Sequence, residues 1–190
     1  MRNRIAAVLA ATAAAVTTLT AVTAPGVSAS ENAMTAVVTV FQTDHRLGTA
    51  VTYDASLVPV GALARVAVMT SDRGTITELA VRGFVPDREY GAHLHARPCG
   101  ATGADAGPHH QHVQDPEQPS TDPAYANPGN EIWLDFTTDA AGAASARSEV
   151  GWTFGERRPA SLVIHERHTS TAEGEAGVAG ERLACVNITL

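Results

Sequence analysis

Histidine and cysteine carry most of the chemistry open to this chain. His93 and His95 stand two apart in Tyr90-Gly91-Ala92-His93-Leu94-His95, a run of strand-type residues. On a β-strand, side chains at i and i+2 share a face. The two imidazoles would then stand side by side as half of a metal site. Imidazole suits copper, zinc, iron and nickel. A bare H-x-H reads more readily as two unconnected strand histidines, but this one keeps informative company. Cys99 follows closely, His109, His110 and His112 crowd the next loop, His165 ends another apolar run, and Cys185 lies near the C-terminus.

The chain has 190 residues, which suits one domain after processing. Met1-Arg2-Asn3-Arg4 is a basic start, residues 5–23 are apolar and alanine-rich, and Val27-Ser28-Ala29 supplies small residues for cleavage after Ala29. This pattern predicts an export signal over residues 1–29 and a mature domain over residues 30–190. A membrane anchor is the alternative, and the many alanines and threonines make a poor permanent span. No cysteine lies near the cleavage point, so lipid attachment there is excluded. The mature protein is therefore expected to be secreted or extracytoplasmic, with no membrane contact.

Removal of Arg2 and Arg4 takes the formal charge from -7 to -9. An acidic surface argues against nucleic acid or anionic lipid as partner. In an oxidising compartment, the chain's two cysteines, Cys99 and Cys185, are expected to pair; zinc ligation is the competing reading.

The elements that would position these residues are strands. Runs at 34–41, 48–53, 64–70, 75–81, 131–136, 143–152, 160–168 and 182–190, with that around His93 and His95, carry β-type composition and are separated by turn signals. No helical period is convincing outside the signal. Residues 97–129 hold six prolines and three histidines and keep neither period; a loop of that length in a small domain is usually functional or disordered. About eight short strands predict an antiparallel sandwich or flattened barrel.

Four segments now combine. Gly91-Ala92-His93-Leu94-His95 resembles the G-x-H-x-H strand of the copper/zinc superoxide dismutases. Ala106-Gly107-Pro108-His109 resembles their A-G-P-H, whose histidine bridges copper and zinc. Leu162-Val163-Ile164-His165-Glu166 resembles the strand of the last copper histidine. Gly180-Glu181-Arg182-Leu183-Ala184-Cys185 resembles the segment with the active-site arginine and the second disulfide cysteine, and Pro128-Gly129-Asn130 before a strand also fits. The resemblance implies an eight-stranded Greek-key β-barrel or immunoglobulin-like sandwich with long active-site loops. It implies copper held by His93, His95, His109 and His165, Arg182 beside the open metal face, His109 as a proton carrier, a Cys99–Cys185 disulfide, and superoxide as substrate.

The zinc side departs from that pattern. The family's zinc aspartate falls on Asn127, one zinc histidine on Ala124 and another on Glu117. The aspartate that links the two metals just after the last copper strand meets Arg167-His168-Thr169-Ser170. These losses argue against zinc and for copper alone, unless His110 or His112 rebuilds a second site with Asp115 or Asp122. Without zinc, residues 110–127 are expected to depend on the disulfide for tethering. Residues 169–181 carry Glu173, Glu175 and Glu181 and no basic residue, so weak attraction of the anionic substrate is expected. The competing functions are a non-catalytic copper-binding or buffering protein on the same fold, and an interaction module that has lost its metal. Arg182 favours the enzyme over the first, and the complete histidine set argues against the second.

Overall fold

The computed structural model describes residues 32–190, and the export signal expected over residues 1–29 lies outside them. The strands are β1 Ala33–Val40, β2 Ala50–Thr52, β3 Leu63–Ser71, β4 Gly74–Arg82, β5 Glu89–His95, β6 Phe136–Thr137, β7 Ala144–Val150, β8 Ser161–His165 and β9 Arg182–Asn187, with a short 3-10 turn at Gly103–Ala106. They form two antiparallel sheets, one in the order β1-β3-β4-β7 and the other β2-β9-β8-β5-β6. Among the described residues the sheets are not joined into one closed ladder. Of the expected sandwich or flattened barrel, the architecture is the sandwich.

Alternation builds the four-stranded sheet. Along β4, Thr75, Thr77, Leu79 and Val81 are buried, whereas Glu78 and Arg82 face outward with Ile76. Of the three large apolar residues in this run, Leu79 and Val81 share the buried face and Ile76 takes the other. The opposite sheet is buried on both faces. Tyr90, Ala92 and Leu94 of β5 join the central core, together with Leu162 and Ile164 of β8. The other face of this sheet carries Gly91, His93 and His95, and it is covered by loops rather than by another sheet. A second, smaller cluster of Val51, Cys99, Ala106, Val163 and Cys185 packs there beneath the 3-10 turn.

Two connections position the histidines. The strand expected over residues 131–136 is interrupted: only Phe136–Thr137 pairs as a strand, while Trp133 bridges His93 and Glu131 bridges Gln111. Its backbone still follows β5, with Leu134 N donating to Ala92 O and Leu94 N to Ile132 O. Beyond that point the long loop takes over the edge of β5. His110 N donates to Leu94 O and Ala96 N to Pro108 O, which sets His109 beside His95. β5 must satisfy its edge hydrogen bonds in any case, and two distant segments share that task.

The disulfide is formed, with Cys99 and Cys185 86 residues apart in sequence and Cα atoms 5.7 Å apart. It is not the only tether of the loop. Asn130 donates to the carbonyls of Val113 and Tyr125 and accepts from Val113 N. Asp115 is buried and accepts from Glu117 N and Ser120 Oγ.

Candidate metal centre

His93 and His95 reach one face of β5 because they are two apart. His165 arrives from β8, where a register shift between Ile164 and His165 places His165 opposite Arg182 of β9. A bulge of this kind re-aims a side chain at the end of a ladder. The approach is close: a Cβ on Gly91, the strand partner of His165, would stand 2.6 Å from Arg167 O and 2.8 Å from the Ala179 side chain. Only glycine fits there. His109 completes the group. One ligand atom from each of the four histidines lies within 4.8 Å of the others.

The tautomer of each imidazole follows from its partners. Asp135 accepts the Thr169 hydroxyl proton at 2.7 Å. That hydroxyl, 2.6 Å from His93 Nε2, must then accept from the ring. His93 Nδ1 is left as a buried lone pair with no partner. His95 Nδ1–H donates to Gly107 O at 2.9 Å. His109 Nδ1–H donates to Glu131 Oε2 at 2.8 Å. His165 Nδ1 points at Gly180 O over a longer 3.5 Å. The free nitrogens are thus Nδ1 of His93 and Nε2 of His95, His109 and His165. His95 Nε2 and His165 Nε2 stand 3.3 Å apart. Two lone pairs at that separation repel unless a cation lies between them, and a buried unpaired acceptor carries a desolvation cost. The donor set fits a metal ion that prefers nitrogen.

Burial keeps His93, His95 and His165 neutral and ready to ligate. It is the main cause that holds His93 and His95 well below the usual imidazole value of 6.5, with the nearby His109 adding to it. Burial likewise takes His165 down to about 3, assisted by His109 and Arg182. A cavity of about 170 Å³ opens on this cluster, walled by His109, His165, Glu131, Gly180 and Arg182. Arg182 Nη1 donates to Gly103 O at 2.9 Å, which fixes the guanidinium at the cavity edge. Burial lowers its pKa, and Arg97 is the second cause.

Three residues that motif matching did not single out shape the centre. Glu131 is buried, and besides His109 it accepts from Gln111 Nε2 at 2.8 Å and Trp133 Nε1 at 2.7 Å. Asp135 accepts from Thr169 N at 2.7 Å as well as from its hydroxyl. The stretch Arg167-His168-Thr169-Ser170 has no aspartate, yet Thr169 and Asp135 together hold a carboxylate behind His93. A signal was present: in Glu131-Ile132-Trp133-Leu134-Asp135-Phe136, period-2 alternation puts Glu131, Trp133 and Asp135 on one face.

The other candidates are spread apart. Asn127 is spent on a turn, its amide donating to Pro123 O and Ala124 O while its carbonyl oxygen accepts from Gly129 N and Asn130 N. Glu117 and Ala124 are exposed. His110 Nε2 bonds Arg157 O, and His112 stacks on Trp152 with ring centroids 4.7 Å apart. Asp122 accepts from Ala124 N. Among the described residues the improvised site of His110 or His112 with Asp115 or Asp122 is not assembled, and the four-histidine group alone has metal-binding geometry.

No protein-family model matches the sequence. No curated protein matches it either. Solved structures do resemble the fold. A Cu/Zn superoxide dismutase from Brucella abortus superposes with a TM-score of 0.55 at 16% identity, covering 84% of this chain and 100% of that one. A double mutant of a SOD-like protein from Bacillus subtilis gives 0.51 at 17% identity, covering 67% and 89%. A single mutant of a SOD-like protein from the same organism gives 0.51 at 16%, covering 75% and 99%. The chain has the fold of the copper/zinc superoxide dismutases.

Proposed function

We propose that the chain is an exported member of the copper/zinc superoxide dismutase family that converts superoxide to oxygen and hydrogen peroxide with copper alone. The observation that carries this reading is the cluster itself: four imidazoles converge beside a cavity walled by Arg182. His93 Nδ1 and Nε2 of His95, His109 and His165 would hold the copper. Bound there, copper would supply a one-electron couple at neutral nitrogen ligands, which add no negative charge against an anionic substrate.

In the overall reaction one superoxide gives up its electron and leaves as oxygen. A second takes up that electron and two protons and leaves as hydrogen peroxide. Arg182 is permanently charged and aimed at the cavity, so it binds and orients the anion. A metal-buffering protein needs no such group. His109 Nε2 is the atom suited to hold a proton, because the imidazolium so formed keeps its Nδ1–H on the Glu131 carboxylate. Glu131 also occupies the nitrogen of His109 that a bridging histidine would give to zinc. That contact, with Asn127 committed to its turn, supports the copper-only reading.

The test is reconstitution of the purified mature chain in zinc-free buffer. About one copper and no zinc per chain, with rapid superoxide consumption, is the expected result. Arg182→Ala should keep its copper and lose rate at limiting superoxide. Copper-loaded protein without turnover would return the buffering alternative. Equal copper and zinc in active protein, with activity lowered by zinc removal, would overturn the copper-only reading.

A further inference from the structure

The cavity at the histidines has an antechamber. A second cavity of about 540 Å³ shares Pro119, Gly180 and Arg182 with the inner one and adds Arg97, Gly107 and Glu181 to its wall. Arg182 stands at the junction. An anion that reaches the histidines along this path passes Arg97 first.

We propose that Arg97 and Arg182 form a two-guanidinium vestibule that captures small anions and hands them to the histidine cluster. For superoxide as the anion it rests on the dismutase reading above. Arg97 lies between His95 and the disulfide cysteine Cys99. Its backbone is pinned on both sides, since Arg97 N donates to Ala106 O and Ser161 Oγ donates to Arg97 O. The guanidinium lies over Gly107, where φ is +73° and a Cβ would come within 2.6 Å of Arg97 Nε. Gly107 is also the residue whose carbonyl holds His95. The second cation is therefore seated on the wall of the metal centre.

Neither guanidinium is neutralised by a partner. Among the described residues no carboxylate lies within salt-bridge distance of Arg97 or Arg182. Glu181 puts one negative charge on the outer wall, and Asp105 lies close enough for Arg97 to lower its pKa as a minor cause. Arg182 feels Arg97 as the chief charge acting against its own. Two cations against one acid leave this wall with a net positive charge, and a low-dielectric cleft focuses the field they make. The absence of basic residues from 169–181 is offset from a different element.

Copper-loaded wild type is compared with Arg97→Ala, Arg97→Glu and Arg97→Lys. Arg147→Ala, on the exposed face of the other sheet, is the control for net charge. Two readouts are taken at about 10 mM and about 150 mM ionic strength: superoxide consumption at limiting substrate, and azide affinity by visible absorbance. Copper per chain is measured throughout. At low salt Arg97→Ala should lower both rate and azide affinity roughly threefold to tenfold. Arg97→Glu should lower them further, Arg97→Lys should restore most of the loss, Arg147→Ala should change neither, and the differences should shrink at the higher salt. If Arg97→Ala loses copper, the comparison of Arg97→Lys with wild type at both salts replaces it, and loss in Arg97→Lys as large as that in Arg97→Glu would overturn the vestibule. Rate, affinity and salt response matching wild type in Arg97→Ala would overturn it too. Azide binding that depends on Arg97 in a protein that consumes no superoxide would leave the vestibule standing and remove the dismutase reading.

Discussion

The Nδ1–H of His109 ends on a carboxylate that is only 1% exposed and that also receives N–H groups from Gln111 and Trp133. Three donors converge on one acceptor-only group, so its replacement by an amide leaves donors unmatched. Glu131→Gln should weaken copper binding about tenfold to a hundredfold, the usual effect of losing the group that orients a metal-bound histidine. It should also cost roughly 1 to 3 kcal/mol of stability. Chelator competition and thermal unfolding measure the two, and copper affinity equal to wild type would show that Glu131 does not orient His109. His93 is held differently, through a hydroxyl. Thr169→Val removes the acceptor of His93 Nε2–H while keeping the side-chain shape, and the ring is then free to carry its proton on Nδ1, the atom offered to the metal. Copper affinity should fall about tenfold or more, with a changed hyperfine pattern in the copper EPR spectrum. An unaltered spectrum and affinity would remove Thr169 from the centre.

Between elements, the 3-10 turn Gly103–Ala106 is the piece whose position depends on the disulfide. Cys99 enters the turn region and Cys185 sits in β9, three residues after Arg182, whose guanidinium bonds Gly103 O. The half-cystines pack with Val51, Ala106 and Val163 in the small outer cluster. Closing a loop of 86 residues stabilises the native state by about 4 to 5 kcal/mol in the chain-entropy model. The Cys99→Ser, Cys185→Ser double variant should unfold at a clearly lower denaturant midpoint. Because Gly103 anchors Arg182, it should also lose turnover while still binding copper in the cold. A midpoint within error of wild type would mean that the Asn130 and Asp115 hydrogen bonds hold the loop unaided.

Across the whole molecule, four buried histidines tie stability to pH in the metal-free protein. His93, His95, His110 and His165 have folded-state values below the 6.5 of a free imidazole, with His165 at about 3. Above 6.5 neither the folded nor the unfolded chain binds these protons. Below it the unfolded chain takes them up and the native state does not, so stability falls with acidification from about 6.5 towards 3. Each histidine contributes a slope of up to about 1.4 kcal/mol per pH unit. Denaturant midpoints of the metal-free protein should drop over that window, and His165→Gln should flatten the curve. Identical curves for the two proteins would mean that carboxylates alone govern the acid response.

Local rules were enough for most of the strands, the pairing of His93 with His95 on one face, and the order of the four histidines, Arg182 and the two cysteines, because alternation and motif spacing are carried by near neighbours in the chain. The same locality made Glu131, Trp133 and Asp135 visible as one polar face, without saying what that face meets. The break of the 131–136 run into bridges and the commitment of Asn127 to a turn depended on which segments share the edge of β5. So did the chemistry of the rings. Whether an imidazole offers Nδ1 or Nε2 is set by a partner far away in sequence: Asp135 through Thr169 for His93, Gly107 for His95, Glu131 for His109. Arg97 reads as one more surface arginine until the fold lays it over Gly107 and beside Arg182. The sequence alone determined which residues could bind a metal and on which scaffold; the tertiary structure decided which nitrogen each presents and which charges stand at the entrance, because those are properties of pairs brought together only by folding.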